Sequence, residues 1–202
     1  MITVIDYGMG NLRSVVKAVE KYTSDVQVSS EPQSIASSKA LIMPGDGAFG
    51  QAMENLTQSG WIEPLVRFIG NGGYFFGICL GYQLLFTSSE EFGNHKGLDI
   101  IPGTVIRFPN DLKVPHMGWN QVELTKEHPV VNGIPQNSYF YFIHTYYPVI
   151  GDSSWIMGQT AYGVTFPSIV GRGNCIATQF HPEKSHRYGL TMIENFVRMV
   201  CS

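Results

Sequence analysis

The alternation of short β-branched runs with helix-spaced apolar residues between Met1 and Phe86 constrains this chain more than any other feature. Ile2 to Asp6 is an apolar run closed by a glycine-containing turn, and it reads as a buried strand. From Asn11, whose side chain suits an N-cap, Leu12, Val15, Val16 and Val19 recur at three- and four-residue spacing. Arg13, Lys17 and Glu20 fall on the other faces of that helix. Strands are expected around Val26 to Val28 and at Ala40 to Met43, the latter stopped by Pro44-Gly45. Ala48 to Leu56 and Ile62 to Ile69 read as helices broken at Gly60. Tyr74 to Ile78 reads as another strand, followed at once by a helical stretch from Leu80 to Phe86. Strands alternating with helices need right-handed crossovers and a mostly parallel sheet. The expected fold is α/β, with an open, mostly parallel central sheet flanked by helices.

Beyond Gly97 the texture changes. Thr104–Phe108, Trp119–Leu124, Tyr139–Val149 and Ile176–Phe180 are strand-like, with Pro, Gly and Asn between them. No linker or charge run separates the halves, so these strands read as an antiparallel extension of one domain spanning residues 1–202. Leu190, Ile193, Phe196, Val197 and Val200 form one face of a closing amphipathic helix. With 44% hydrophobic and 14% charged residues, the composition excludes a disordered chain and a coiled coil. A net charge of −3 offers no basic face for nucleic acid. No apolar run approaches the ~18–20 residues of a membrane span, and the first residues lack a basic, secretory-type leader, so a cytoplasmic location is expected.

The chemistry concentrates in Phe76-Gly77-Ile78-Cys79-Leu80-Gly81-Tyr82-Gln83. A cysteine between a buried strand and a helix, with glycines two residues to either side, is the pattern of a nucleophile elbow. The tight turn exposes the side chain, small neighbours permit close backbone approach, and the helix start favours a thiolate. The Leu80 N–H, next after the nucleophile, is placed to donate to an oxyanion. The competing reading is that Cys79 is a small buried hydrophobe. A thiol nucleophile needs a base, and of the six histidines only His181 combines a strand end with a carboxylate at useful spacing. In His181-Pro182-Glu183 the proline biases His181 to an extended backbone. If the segment stays extended, Glu183 lies on the same side as His181 and can hold its imidazole.

Pro44-Gly45-Asp46-Gly47 follows the third expected strand, at the sheet edge where the carboxyl ends of parallel strands converge. Its glycines let backbone N–H groups point into a pocket and complete an oxyanion hole, or simply turn the chain from strand to helix. Tyr141-Phe142-Ile143-His144-Thr145-Tyr146-Tyr147 is an aromatic strand with polar groups, equally suited to substrate binding and to half-burial in a sheet. Cys79, His181 and His186 lack metal-ligand spacing, and no metal or other cofactor is expected. Cys175 and Cys201 read as structural. Gly8-Met9-Gly10-Asn11 lacks the third glycine of a phosphate-binding loop.

Gly77-Ile78-Cys79-Leu80-Gly81 together with His181-Pro182-Glu183 resembles the class I, or triad, glutamine amidotransferases. Asp6-Tyr7-Gly8-Met9-Gly10-Asn11-Leu12-Arg13-Ser14, Pro115-His116-Met117-Gly118-Trp119-Asn120 and Gln179-Phe180-His181-Pro182-Glu183-Lys184-Ser185 narrow the resemblance to the glutaminase subunits of imidazole glycerol-phosphate synthases. The similarity runs almost from end to end, in order. It implies glutamine hydrolysis to glutamate and ammonia by a Cys79–His181–Glu183 triad through a thioester. It places substrate contacts at Gly47, Gln83, His144, Thr145 and Tyr146, with the oxyanion hole at the Leu80 N–H and the Gly45–Asp46–Gly47 turn. It also implies a heterodimer with a (β/α)8-barrel cyclase that receives the ammonia in histidine biosynthesis, with Asn11, Arg13, Trp119 and Lys184 at or near the interface.

Two positions depart from that pattern. Asp46 stands where a small apolar residue is expected, and Thr145 where serine is common, a change that keeps the hydroxyl. Asp46 and the stretch Lys184-Ser185-His186-Arg187-Tyr188-Gly189 leave open a related glutaminase that feeds a different synthase, such as one for a surface amino sugar. A stand-alone cysteine hydrolase and a non-catalytic regulatory subunit compete with both. Gln83 and the His144 strand argue against the hydrolase, and the intact Cys79, His181 and Glu183 against the regulatory subunit.

Overall fold

In the computed structural model, residues 1–201 are described. Four strands of the first half are β1 (Ile2–Ile5), β2 (Val26–Ser29), β3 (Ala40–Met43) and β4 (Tyr74–Ile78). They pair in parallel in the order β2-β1-β3-β4. β1 and β3 are buried at every position, as continuous apolar runs covered on both faces must be. The period of two sorts them between two cores. Ile2, Val4, Ile42, Phe76 and Ile78 pack with Val15, Val19, Ile193 and Phe196, whereas Ile5, Leu41, Met43 and Phe75 pack with Phe49, Leu56 and Leu65. Helices α1 (Leu12–Val19) and α5 (His186–Cys201) therefore cover one face, and α2 (Phe49–Gln58) and α3 (Ile62–Gly70) the other. The Asn11 side chain caps α1 through the Ser14 N–H at 3.2 Å, and Gly60 turns the chain between α2 and α3 with φ +74°. No described helix is long and apolar enough to cross a membrane.

The stretch expected to be helical from Leu80 to Phe86 is shorter in the structure. Helix α4 covers only Leu80–Gln83, and the chain re-extends as β5 (Phe86–Ser89). Leu84 and Leu85 have the right spacing for a helix, but their carbonyls accept N–H bonds from Leu98, Ile100 and Ile101 instead. The remaining strands are β6 (His95–Lys96), β7 (Ile101–Arg107), β8 (His116–Leu124), β9 (Ser138–His144), β10 (Tyr146–Ile150), β11 (Ile156–Tyr162), β12 (Val164–Arg172) and β13 (Cys175–Thr178). The large sheet runs β2-β1-β3-β4-β13-β12-β11-β8-β9, and a smaller sheet runs β10-β7-β5-β6.

Two expectations for this half need correction. β13 pairs in parallel with β4, so it belongs to the parallel core and hands over to the antiparallel strands at β12. Tyr139–Val149 is not one strand: it breaks at Thr145, and β9 and β10 lie in different sheets. β9 alternates, with Phe140, Phe142 and His144 inward and Tyr139 and Ile143 outward. β4 and β13 thus end side by side, with the break between β9 and β10 against them.

Candidate active site

Cys79 sits between β4 and α4 with φ +55° and ψ −103°, a backbone that a non-glycine residue adopts at a cost of about 1–3 kcal/mol. Packing holds it there. A Cβ on Gly81 would lie 1.8 Å from the Met43 carbonyl oxygen, and one on Gly77 would lie 2.8 Å from the Gly81 carbonyl oxygen. Both glycines are needed for α4 to approach β3 and β4 so closely. The helix start contributes less than expected to a thiolate, because α4 is a single turn. The N–H groups of Tyr82 and Gln83 donate to the carbonyl of Cys79 itself, each at 3.1 Å.

His181 follows β13, three residues beyond Thr178, and its ring lies beside the Cys79 sulfur. Its φ of −96° and ψ of 98° are the extended values favoured before proline. Pro182–Lys184 does not stay extended, however, but forms a 3-10 turn. Glu183 reaches His181 because the turn folds back: Oε1 lies 2.8 Å from Nδ1, with the side chain 2% exposed. Ser185 locks the segment, donating to the His181 carbonyl at 2.6 Å and accepting the Tyr141 N–H at 2.9 Å. Burial opposes charge on His181, but the negative charge of Cys79, its hydrogen bond and Glu183 outweigh burial and push the imidazole up to about 10. Cys79 and Glu183 thus flank His181 and both favour its protonated form. Glu183 Oε2 is buried without a hydrogen-bond partner.

The oxyanion hole expected from Leu80 and the Gly45–Asp46–Gly47 turn is closed. The Leu80 N–H faces the Gly45 carbonyl oxygen at 3.4 Å, so that donor is occupied by the turn itself. The Tyr7 hydroxyl donates to the Pro44 carbonyl at 2.8 Å and lies where a Gly45 Cβ would be, which leaves no room for any other residue at position 45. Asp46 and Gly47 are exposed, Gly47 with φ +100°. Freeing the Leu80 N–H requires the Gly45 carbonyl to move off it.

Gln83, His144, Thr145 and Tyr146 come together around the β9–β10 break. The Tyr146 carbonyl accepts from Gln83 Nε2 at 3.0 Å and from His144 Nδ1 at 2.8 Å. A carbonyl only accepts, so His144 carries its proton on Nδ1 and its Nε2 accepts from His116 Nδ1 at 2.9 Å. His116 Nε2 then accepts from Asn120 Nδ2 at 3.1 Å. Burial pushes His144 down to about 3 and His116 down to about 4, so both rings are neutral. Sequence reasoning singled out neither His116 and Asn120 nor Gln179 as site residues, although all three lie in the strings that carry the family resemblance. The available signal was two polar residues, His116 and Asn120, on the inward side of β8, and a third, Gln179, directly after β13.

Asn11, Arg13, Trp119 and Lys184 are exposed. Trp119 stacks on His186 with ring centres 5.0 Å apart, and Lys184 and His186 line a crevice with Ser14 and Lys17 of α1. Trp119 and Lys184 therefore lie about the turn that carries Glu183, and Asn11 and Arg13 lie at the start of α1. Burial pushes the Cys175 thiol up to about 12, so it remains protonated. Among the described residues no group of three or more His, Cys, Asp or Glu side chains is arranged to hold a metal ion.

The glutamine amidotransferase class-I family matches residues 3–200. The imidazole glycerol phosphate synthase subunit HisH of Syntrophotalea carbinolica is 50% identical over 97% of this chain and 98% of its own length. That of Methanocaldococcus jannaschii is 48% identical over 99% of this chain and 100% of its own. Among solved structures, PurLQS from Thermotoga maritima superposes with a TM-score of 0.76 at 16% identity, covering 98% of this chain and 97% of that one, which shows the shared fold. The chain belongs to the class-I glutamine amidotransferases and, among them, to the HisH subunits of imidazole glycerol phosphate synthase.

Proposed function

We propose that this chain hydrolyses glutamine with Cys79 as nucleophile, His181 as acid and base and Glu183 as the group that orients His181, and passes the ammonia to a (β/α)8-barrel cyclase in histidine biosynthesis in the cytoplasm. The observation that carries the chemistry is the buried chain of contacts from Cys79 to His181 to Glu183 at the carboxyl ends of adjacent parallel strands. The thiolate attacks the side-chain amide carbon, and the C–N bond breaks as His181 gives its proton to the leaving nitrogen. Water then adds to the thioester carbon while His181 takes its proton, and the C–S bond breaks to release glutamate and restore the thiolate. Gln83, His144, Thr145, Tyr146 and Gly47 border the space in which the glutamine side chain lies.

The closed Leu80 donor means that hydrolysis needs the Gly45 carbonyl to move off it, which links full activity to an event outside the triad. Trp119, Lys184, Asn11 and Arg13 supply an exposed surface for the cyclase. A glutamine analogue bearing an electrophilic carbon in place of the amide should label Cys79 alone, as read by peptide mass. Labelling of Cys201 instead, or continued hydrolysis by Cys79→Ala, contradicts the reading.

A further inference from the structure

We propose that Gln179 is a further catalytic residue: its side-chain amide donates a hydrogen bond to the Cys79 sulfur and favours the thiolate over the thiol. The proposal rests on Cys79 being the nucleophile. Gln179 directly follows β13 and is fully buried, with its backbone N–H tied to the Ser168 carbonyl at 2.9 Å. Its Nε2 lies 3.9 Å from Cys79 Sγ, and its Oε1 lies 3.0 Å from Gln83 Nε2.

The direction of the Gln179 amide follows from its neighbours. The Tyr146 carbonyl can only accept, so the Gln83 group facing it is the NH2. The same NH2 spends its second hydrogen on Gln179, whose facing atom must then be Oε1. Gln179 Nε2 is left turned to the sulfur. The opposite orientation sets NH2 against NH2 at Gln83 and a carbonyl oxygen against the sulfur.

The sulfur needs this donor. On another side it faces the Ile143 carbonyl oxygen at 3.9 Å, a group that accepts from a thiol and repels a thiolate. The Leu80 N–H, next in the chain after Cys79, is taken by Gly45. That leaves the His181 ring and the Gln179 amide to stabilise a negative charge almost wholly shielded from water, Cys79 being 7% exposed. The other ionisable groups around the sulfur are Glu183 behind His181, Tyr7 beneath the Pro44 turn and Asp46 on that turn, and none of these donates to it. Through Gln83 the same amide also ties the nucleophile to a proposed substrate contact.

The test is the pH dependence of Cys79 alkylation by iodoacetamide, read by peptide mass so that Cys175 and Cys201 are scored separately. Gln179→Leu keeps the approximate shape and removes the donor. The midpoint for Cys79 should rise by about one pH unit, with an about tenfold slower reaction at neutral pH. Gln179→Glu puts an acceptor against the sulfur and should raise the midpoint further. In the unaltered chain, the Gln179 side-chain amide resonance should titrate with the Cys79 midpoint, a readout that needs no variant to fold. A packing role alone lowers the melting temperature and leaves the midpoint and the resonance unmoved, and that result overturns the proposal. Hydrolysis of glutamine by Cys79→Ala would instead sink the nucleophile assignment, while leaving the alkylation profile as measured.

Discussion

Replacing Glu183 by glutamine keeps the shape of the side chain and removes its charge. Glu183 Oε1 lies 2.8 Å from His181 Nδ1, and with the side chain 2% exposed, water neither screens the bond nor substitutes for it. A hydrogen bond to a charged partner contributes about 1.5–3 kcal/mol, so the imidazolium loses roughly ten- to a hundredfold of its stabilisation. The unpartnered Glu183 Oε2 makes the substitution worse. The new NH2 finds no acceptor at that position, and if the amide rotates to present NH2 to Nδ1, the ring keeps its proton on Nε2 and no longer serves as base. In serine triads a wrong tautomer of this kind costs about 10⁴ in kcat. The assay is kcat/KM for glutamine in the assembled synthase, beside ammonia-dependent synthesis by the same complex as the check on folding and assembly. Glu183→Gln should lower the glutamine reaction at least ~tenfold and leave the ammonia reaction intact. Glutamine activity within about twofold of the parent would refute the reasoning, since a lost charge-assisted bond cannot be that cheap.

The remaining predictions concern pH, packing and the partner. His116 and His144 bind protons less readily folded than unfolded, so protonation favours the unfolded chain. Their contribution to stability is present above the unfolded value of 6.5 and is lost as pH falls towards 4, and His116→Gln should blunt that acid loss in a melting series. His181 has the opposite sign. Its contribution is complete below 6.5 and disappears as pH rises through about 10, so Cys79→Ala, which removes the largest cause that raises it, should flatten the alkaline limb of the same series, and Glu183→Gln should do so less. Gly81→Ala forces a Cβ to within 1.8 Å of a backbone oxygen and should cost about 3 kcal/mol or more in denaturant unfolding; a loss below about 1 kcal/mol would show that α4 can shift. Trp119→Ala, at a position 45% exposed, should weaken cyclase binding at least ~tenfold in titration while moving the melting temperature little.

The parallel half was legible because strands buried on both faces read as unbroken apolar runs, and because glycines mark the turn that carries Cys79. The antiparallel half was legible in part: its character and the strands β7, β8 and β9 were read, but β11 and β12 were not. β12 contains Pro167, which argues against an interior strand, yet the strand continues next to the register shift at Gly158 and Gln159 of β11. The break at Thr145 has no local signal. It is set by distant partners, with Phe108 N–H donating to the Thr145 carbonyl and His144 turning onto Tyr146. The pairing of His181 with Glu183 is legible for a different reason from the one observed, since the intervening backbone is a 3-10 turn. The occupied Leu80 N–H was invisible for the same reason as the Thr145 break: a peptide's orientation depends on what the rest of the fold places against it.

Ammonia and glutamate release from glutamine, with and without a co-purified barrel cyclase and its nucleotide substrate, tests the central claim most directly. The closed Leu80 donor predicts slow release from the isolated chain and strong stimulation by the cyclase, both abolished by Cys79→Ala. Hydrolysis that ignores the cyclase, or that survives Cys79→Ala, would contradict the account.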